Sequence, residues 1–457
     1  MIPLVGRNMK HIEENLFNTF AVSPSALVEL AGQSAFREIV TSFDVKHVGV
    51  VAGKGNNGND ALSCARFLLN AGYMVDVYSL SQSSQLDYLK AFGAHLSLDI
   101  SELKNAELIV DGMFGYGFVP PLSDNLRHVV EVLNELRCPI LSLDIPSALP
   151  AEGALDDLMV HSSETVIMGL PKLNEVTGLG LINSGKLVLN NFGYRGYFYG
   201  VGADAYMVEE SDAINFWKKA QKNTYHKRDA GQVTIVAGSD QFPGAAILVA
   251  KTLVYMGTGL IYISGSESVQ NMIVNLIPQI IKGNGNGVYV AGPGVVEPYS
   301  CVRYLPADSI KVLDAGMLRS DILEDVDNAV ITPHEGEAAR LLNTTPEVVR
   351  MNRYKAAKDL FDRFGHVVVL KGPGTIIYDG SSYFVIPINE PKLSTGGTGD
   401  VLSGLIAFFL CHGLGFVKAS IAAVYLHAFV AKSFTTGLDL NKFIEKLSEC
   451  WWSNCDR

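Results

Sequence analysis

Hydrophobic and polar positions along the chain switch repeatedly between short β-branched runs and longer stretches of helical period, which is the pattern of strands alternating with helices. Residues 9–20 spell a polar helix, and Ser23-Pro24-Ser25 opens a second, with proline suited to a first helical turn. The apolar run 47–52 reads as a strand. It leads into Gly53-Lys54-Gly55-Asn56-Asn57-Gly58-Asn59-Asp60, read as a loop, and then a helix over 61–71. A strand over 73–80, a strand ending in Asp111, a helix over 123–136 and a strand ending in Asp144-Ile145-Pro146-Ser147 continue the alternation. Residues 187–199 read as closing strands and 208–222 as a charged helical connection, which sets two domains, 1–212 and 213–457. In the second domain, strands beginning near 232, 288, 312, 329 and 367 each end in a glycine-bearing turn. A helix running to Met256 stops at Gly257, and 401–410 is an apolar helix preceded by Ser394-Thr395-Gly396-Gly397-Thr398-Gly399-Asp400.

Composition agrees with α/β units whose sheets are covered on both faces: 48% of the 457 residues are hydrophobic and 18% charged. A net charge of −11 argues against nucleic acid or an anionic membrane as partner, so an anionic ligand must be held locally. The six cysteines form no CxxC pair and no zinc spacing, as in a reduced, cytoplasmic protein. Charges interrupt residues 1–17 before a signal-peptide core forms, and no apolar run is long enough to span a bilayer.

Candidate chemistry lies at the strand ends. Ligands bind beyond the carboxyl ends of parallel strands, so Asn57, Asp60, Asp111, Asp144 and Ser147 are expected at one edge. The first glycine run also satisfies GxGxxG, with Asp76 about 20 residues on, as in a dinucleotide-dependent dehydrogenase. However, Asp76 sits inside a strand, and the loop carries more polar side chains than a pyrophosphate turn needs. In the second half, Gly396, Gly397 and Gly399 ahead of a helix make an anion hole, and Asp400 at its mouth suits a base that takes a proton from an attacking hydroxyl. Lys371-Gly372-Pro373-Gly374-Thr375 offers an ammonium and close backbone amides to nucleotide phosphates. Together these point to phosphoryl transfer.

The motifs Gly53-x-Gly55-Asn56-Asn57-Gly58-x-Asp60, Asp111-x-x-Phe114-Gly115-x-Gly117 and Asp144-Ile145-Pro146-Ser147 resemble the NAD(P)HX epimerase domain, which has a Rossmann-like three-layer fold. The resemblance implies potassium held by Asn57, Asp111 and Ser147. It implies substrate contacts from Asn56, Asn57, Gly58, Asn59, Asp60, Gly115, Tyr116, Gly117, Phe118, Val119, Pro120 and Pro121, with Asp144 as acid/base. Asn59 and Pro120 depart from the family's usual glycine and basic residue. The motifs around His226, Pro243, His334, Lys371 and Asp400 resemble the ADP- or ATP-dependent NAD(P)HX dehydratases, of ribokinase-like three-layer fold, over residues 225–432. That resemblance assigns Lys371, Gly372, Pro373, Gly374, Thr375 and Gly399 to the adenine nucleotide with magnesium, and Ala246, Gly294, His334 and Asp400 to the hydrated cofactor, with Asp400 catalytic. It implies a homo-oligomer acting on NADHX and NADPHX. Two other readings stand beside it. One is a kinase of a small alcohol with a non-catalytic N-terminal nucleotide-binding module, and the other is a nucleotide-binding interaction protein without turnover.

Overall fold

The computed structural model describes residues 1–221 and 226–453, and Lys222, Tyr225 and Cys455 lie outside them. The chain forms two compact units, Ile2–Tyr206 and Met207–Arg457, with Met1 counted in the second. Residue 212 falls within the helix Glu210–Ala220.

The N-terminal unit is built on a parallel sheet of β1 (His47–Ala52), β2 (Met74–Ser79), β3 (His95–Ser97), β4 (Leu108–Gly112), β5 (Ile140–Leu143), β6 (Glu164–Met168) and β7 (Lys186–Asn190). Its order is β3-β2-β1-β4-β5-β6-β7. The direction of winding reverses between β1 and β4, which opens a crevice beyond their carboxyl ends. Side chains alternate across the sheet with the strand's period of two. Val48, Val50 and Ala52 join one core with Ala31, Ala35 and Ile39 of α2 (Pro24–Ser42), while Val51 joins the opposite core with Val129, Val130 and Leu133 of α4 (Asp124–Glu135). Helix α1 (Met9–Phe20) buries Met9, Ile12 and Leu16, and the Tyr197 hydroxyl donates to the Ile12 carbonyl at 2.7 Å.

Two stretches, one read as a loop and one as a strand, are helical. Helix α3 spans Asn56–Asn70, so the Asn-Gly-Asn run is its first turn, and residues 195–199 form the helix Arg195–Tyr199 rather than a strand. Asparagine and glycine disfavour helix interiors, but in a first turn the backbone N–H groups have no intrahelical partner to lose. Asp76 stays within β2, where its carboxylate meets His47 Nε2 at 2.8 Å and is not presented at the crevice as a ribose ligand.

The C-terminal unit carries β8 (Gln232–Val236), β9 (Leu260–Ser264), β10 (Ile281–Lys282), β11 (Val288–Ala291), β12 (Ile310–Leu313), β13 (Ala329–Ile331), β14 (Val367–Leu370), β15 (Thr375–Tyr378) and β16 (Tyr383–Ile386). They run in the order β16-β15-β14-β13-β12-β11-β8-β9-β10. All neighbours are parallel up to β14, after which β15 and β16 turn back antiparallel. Helix α5 (Pro243–Met256) ends at Gly257 in the left-handed region, φ 92°. Helices α6 (Glu335–Leu341), α7 (Arg353–Phe364), α8 (Thr398–Cys411) and α9 (Phe416–Lys432) complete the parts that position the site. From Val401 to Leu410 every residue of α8 is buried.

One buried arginine ties two of these parts together. Arg353, 3% exposed, donates to the carbonyls of Leu370 and Lys371 at 3.1 and 3.2 Å and to Glu335 Oε1 at 2.7 Å. It thereby fixes the turn after β14 against the start of α6. Arg353→Met leaves Glu335 with Arg350, whose Nε stands 3.0 Å from its Oε2, but strips the Leu370 and Lys371 carbonyls of their donor, so it is expected to lower stability by about 1–3 kcal/mol, read by urea unfolding.

Candidate active sites

In the N-terminal unit the crevice at the winding reversal is a cavity of about 870 Å³, a volume suited to a nucleotide. Asn56, Asn57, Asp60, Gly115, Tyr116, Gly117, Phe118 and Asp144 line it, and Gly58, Asn59, Val119, Pro120 and Pro121 do not. Gly58 is buried against β1's end, where a Cβ would stand 2.1 Å from the Gly53 carbonyl oxygen. Asn59 is an ordinary helical residue whose N–H donates to the Gly55 carbonyl at 3.3 Å, so this position needs no glycine. Val119 is 54% exposed, and the Pro120-Pro121 bond is cis.

Asp144 follows β5 with φ 68°, a left-handed conformation that non-glycine residues adopt chiefly where surrounding structure imposes it. Its Oδ2 accepts from the Tyr116 N–H at 2.8 Å, and its Oδ1 pairs with the ammonium of Lys172, which is wholly buried and also donates to the Met168 carbonyl at 3.3 Å. Gly115 allows this approach, because a Cβ there would lie 2.8 Å from Asp144 Oδ2. Burial, with Asp144 and Glu13 adding to it, raises the Asp60 carboxyl well above the usual range. Burial likewise pushes Glu175 up to about 8 against the pull of Lys172.

Asn57, Asp111 and Ser147 meet around one residue, Phe114. Asn57 Nδ2 donates to the Phe114 carbonyl at 2.7 Å, the Phe114 N–H donates to Ser147 Oγ at 2.9 Å, and Ser147 Oγ donates to Asp111 Oδ1 at 2.6 Å. Asp111 also accepts from Ser142 Oγ and the backbone of Met113 and Ser147. Burial raises its carboxyl, and these donors offset part of the rise. Asn57 Oδ1 is buried with no hydrogen-bond partner among the described residues, whereas such atoms are normally satisfied by protein, water or an ion.

In the C-terminal unit, Lys371, Gly372, Pro373, Thr375 and Gly399 line a cavity of about 160 Å³ with Ile386, Ile388, Leu402 and Val424 as apolar walls. Gly374 lies beside it and donates to the Ile388 carbonyl at 3.2 Å. Asp400 is in the first turn of α8, which starts at Thr398 after Gly397 takes φ 94°. Next to it, Lys371 Nζ donates to Asp314 Oδ1 at 2.8 Å, and Ser403 Oγ donates to Asp314 Oδ2 at 2.9 Å. Burial, then the Asp314 charge, pushes the Asp400 carboxyl up to about 6, against the pull of Lys371. Burial disfavours the Lys371 ammonium, yet Asp314, Glu337 and Asp400 more than compensate and hold its pKa above the ordinary lysine value.

The other expected contacts are spread around this centre. His334 caps α6, its Nδ1 accepting from the N–H groups of Gly336 and Glu337 at 3.0 and 3.4 Å, with its ring largely exposed. Ala246 is wholly buried in α5. Gly294, at φ 65°, lies against the start of that helix, where a Cβ would stand 2.6 Å from the Phe242 carbonyl oxygen. His427 is forced down to about 4 by burial, so it stays neutral, with Nε2 at 3.0 Å from the Thr398 carbonyl.

Sequence reasoning gave no role to Glu13, Lys172, Asp314, Arg353, Ser403 or His427, which hydrogen-bond in or beside these sites. Asp314 ends a strand and so carried a signal, whereas the other five lie on helices or among late loop residues whose partners are distant in sequence.

Comparison with known proteins matches residues 24–174 to the YjeF-related protein N-terminus and residues 233–442 to NAD(P)H-hydrate dehydratase. The bifunctional NAD(P)H-hydrate repair enzyme Nnr of Coxiella burnetii is 28% identical over 92% of this chain and 92% of its own. The corresponding Escherichia coli enzyme is 27% identical over 88% of this chain and 83% of its own. An ADP/ATP-dependent NAD(P)H-hydrate dehydratase from Bacillus subtilis, co-crystallised with ATP and Mg2+, is 28% identical over 52% of this chain and 96% of that one, with a TM-score of 0.48. With both domain matches in order and full-length relatives covering nearly the whole sequence, the chain belongs to the bifunctional NAD(P)H-hydrate repair enzymes.

Proposed function

We propose a division of labour for the repair of hydrated NADH and NADPH, in which the N-terminal unit interconverts the R and S hydrates at C6 and the C-terminal unit dehydrates the S form using ADP or ATP. The observation that carries the second half is Asp400, a carboxylate in the first turn of α8 beside Lys371, with a cavity lined by Lys371, Gly372, Pro373, Thr375 and Gly399 adjoining it. A carboxylate titrating near 6 is a competent base at neutral pH. In this reading Asp400 takes the proton of the C6 hydroxyl as its oxygen attacks the terminal phosphorus of the nucleotide. The C5–H bond then breaks, its electron pair forming the C5=C6 double bond as phosphate leaves C6, and the departing phosphate carries the C5 proton away. Hydroxide is a poor leaving group and phosphate a good one, so nucleotide cleavage drives the elimination. Lys371 and the first-turn N–H groups of α8 neutralise and orient the phosphates. His334, Gly294 and the start of α5 hold the hydrated cofactor.

Magnesium bound with the nucleotide would supply charge neutralisation between the donor phosphates. The residues present fit it. Among the described residues no group of three or more acidic, His or Cys ligands could hold a metal, and magnesium commonly takes only one or two carboxylates besides phosphate, a role open to Asp314. In the N-terminal unit Asp144 is the acid/base and the residues lining its cavity hold the substrate. The partnerless Asn57 Oδ1, beside Ser147 and Asp111, fits an oxygen-liganded potassium ion. The same reading places the protein in the cytoplasm as a homo-oligomer without nucleic-acid or membrane partners. The acidic charge supports the lack of a nucleic-acid or anionic-membrane partner, and the free cysteines support the cytoplasmic placement.

The test is recovery of dihydronicotinamide absorbance from mixed R and S NADHX with magnesium, potassium and ADP or ATP. Recovery is expected to pass beyond the S fraction faster than spontaneous epimerisation. A stable phosphorylated product would instead favour a small-alcohol kinase, and binding without turnover an interaction protein. Asp400→Asn should cut dehydration by about 10²–10⁴-fold. In the wild type, the dehydration rate should climb as pH rises through about 6, because the base acts only after losing its proton. Replacing potassium with sodium should slow R-to-S conversion and leave S dehydration unchanged, measured on the separated epimers.

A further inference from the structure

Helix α1 carries a second stripe beside its buried face. Met9, Ile12 and Leu16 face the core, while Lys10, Glu13, Glu14 and Phe17, at helical spacing, line the N-terminal cavity. Within that stripe only Glu13 is tied into the opposite wall, accepting from the Tyr116 hydroxyl at 2.9 Å. The same Tyr116 donates its backbone N–H to Asp144. One tyrosine thus links two carboxyl groups through opposite ends of its structure, and both groups line the same cavity.

We infer that Glu13 is the second acid/base residue of epimerisation, working with Asp144 as a two-carboxyl pair that exchanges the C6 hydroxyl from one face of the ring to the other. The inference rests on the epimerase reading of this cavity. Inversion at C6 passes through a planar centre, and a group on each face is the direct way to remove hydroxyl on one side and deliver it on the other. For one direction, the protonated Glu13 carboxyl gives its proton to the C6 hydroxyl. The C6–O bond breaks with its electron pair on oxygen, water departs, and the N1 lone pair closes an N1=C6 double bond. A water molecule then adds to C6 from the other face, its proton passes to Asp144, and the π pair returns to N1. The enzyme ends with the proton on Asp144, which is the state ready for the reverse direction, so protons and electrons balance.

Different surroundings suit the two groups to opposite starting states. Asp144 is paired with the buried Lys172 ammonium, while burial, with the Asp144 charge adding, pushes the Glu13 carboxyl up to about 7, leaving much of it protonated at neutral pH. The Tyr116 bond and Lys172 pull it the other way. The charged and titratable groups around it are Tyr116, Asp144, Lys172, Asp60 and Lys54 from other elements, and Lys10 and Glu14 from its own helix.

The experiment follows pure R-NADHX to the S form by chromatography, without nucleotide, over neutral pH. Wild-type conversion should decline as pH rises through about 7. Glu13→Gln should lower kcat about 10²–10⁴-fold with little change in KM and lose that decline, and Glu13→Asp should recover part of the rate. Tyr116→Phe should shift the decline to higher pH, since it removes a bond that lowers the Glu13 pKa. A Glu13→Gln enzyme with wild-type kcat and pH profile would overturn the assignment while leaving the epimerase reading intact. A loss in Glu13→Gln that Glu13→Asp does not relieve and that moves KM instead of kcat would also overturn it. An inert wild type would overturn both.

Discussion

In each unit a lysine, wholly buried in one and largely so in the other, faces a carboxylate at the carboxyl edge of the sheet. Lys172 meets Asp144 in one, and Lys371 meets Asp314 in the other. Neither charge is affordable alone at such depth, because an unpaired buried ion costs far more than the pair. The pairing therefore does two things. It allows charge to remain where water is scarce, and it fixes the direction in which that charge is presented. In the C-terminal unit the Lys371 ammonium lies between Asp314 and the mouth of α8, where the helix dipole and free N–H groups also favour anions. An acidic chain can in this way hold polyanionic ligands without a basic surface.

The two units solve a similar problem with different sheets. A reversal of winding leaves a crevice beside β1 in the first, and in the second the strand order also reverses next to β8. Both place a glycine-rich segment at the start of a helix. The local result differs because the first unit surrounds its cavity with carboxyl groups on α1, α3 and the turn after β5, whereas the second sets its carboxylates around one ammonium.

Much of this was legible in the sequence because it is written in local signals. Strand runs ending in Asp111 or Asp144, and glycines crowded ahead of Asp400, mark where backbone and carboxylate meet, and the structure has strands ending there and a helix starting at Thr398. The helical start at Asn56 was not legible, since asparagine and glycine signal turns and first-turn residues equally well. Arg353 and Glu13 were invisible for a different reason. Helical spacing identifies which stripe of α1 is apolar, but which neighbouring stripe meets a cavity is decided by the packing of distant segments. Arg353 reads as a solvated helix residue until the turn after β14 wraps over it.

The burial of α8 from Val401 to Leu410 has a consequence for how the unit folds. A helix that is apolar on every side has no stable surface state of its own, so it persists only when the elements around it are in place. Asp400 is carried on its first turn, so partial opening that frees α8 displaces this carboxylate and exposes an apolar segment at the same moment. For this unit, a half-folded molecule is an aggregation hazard.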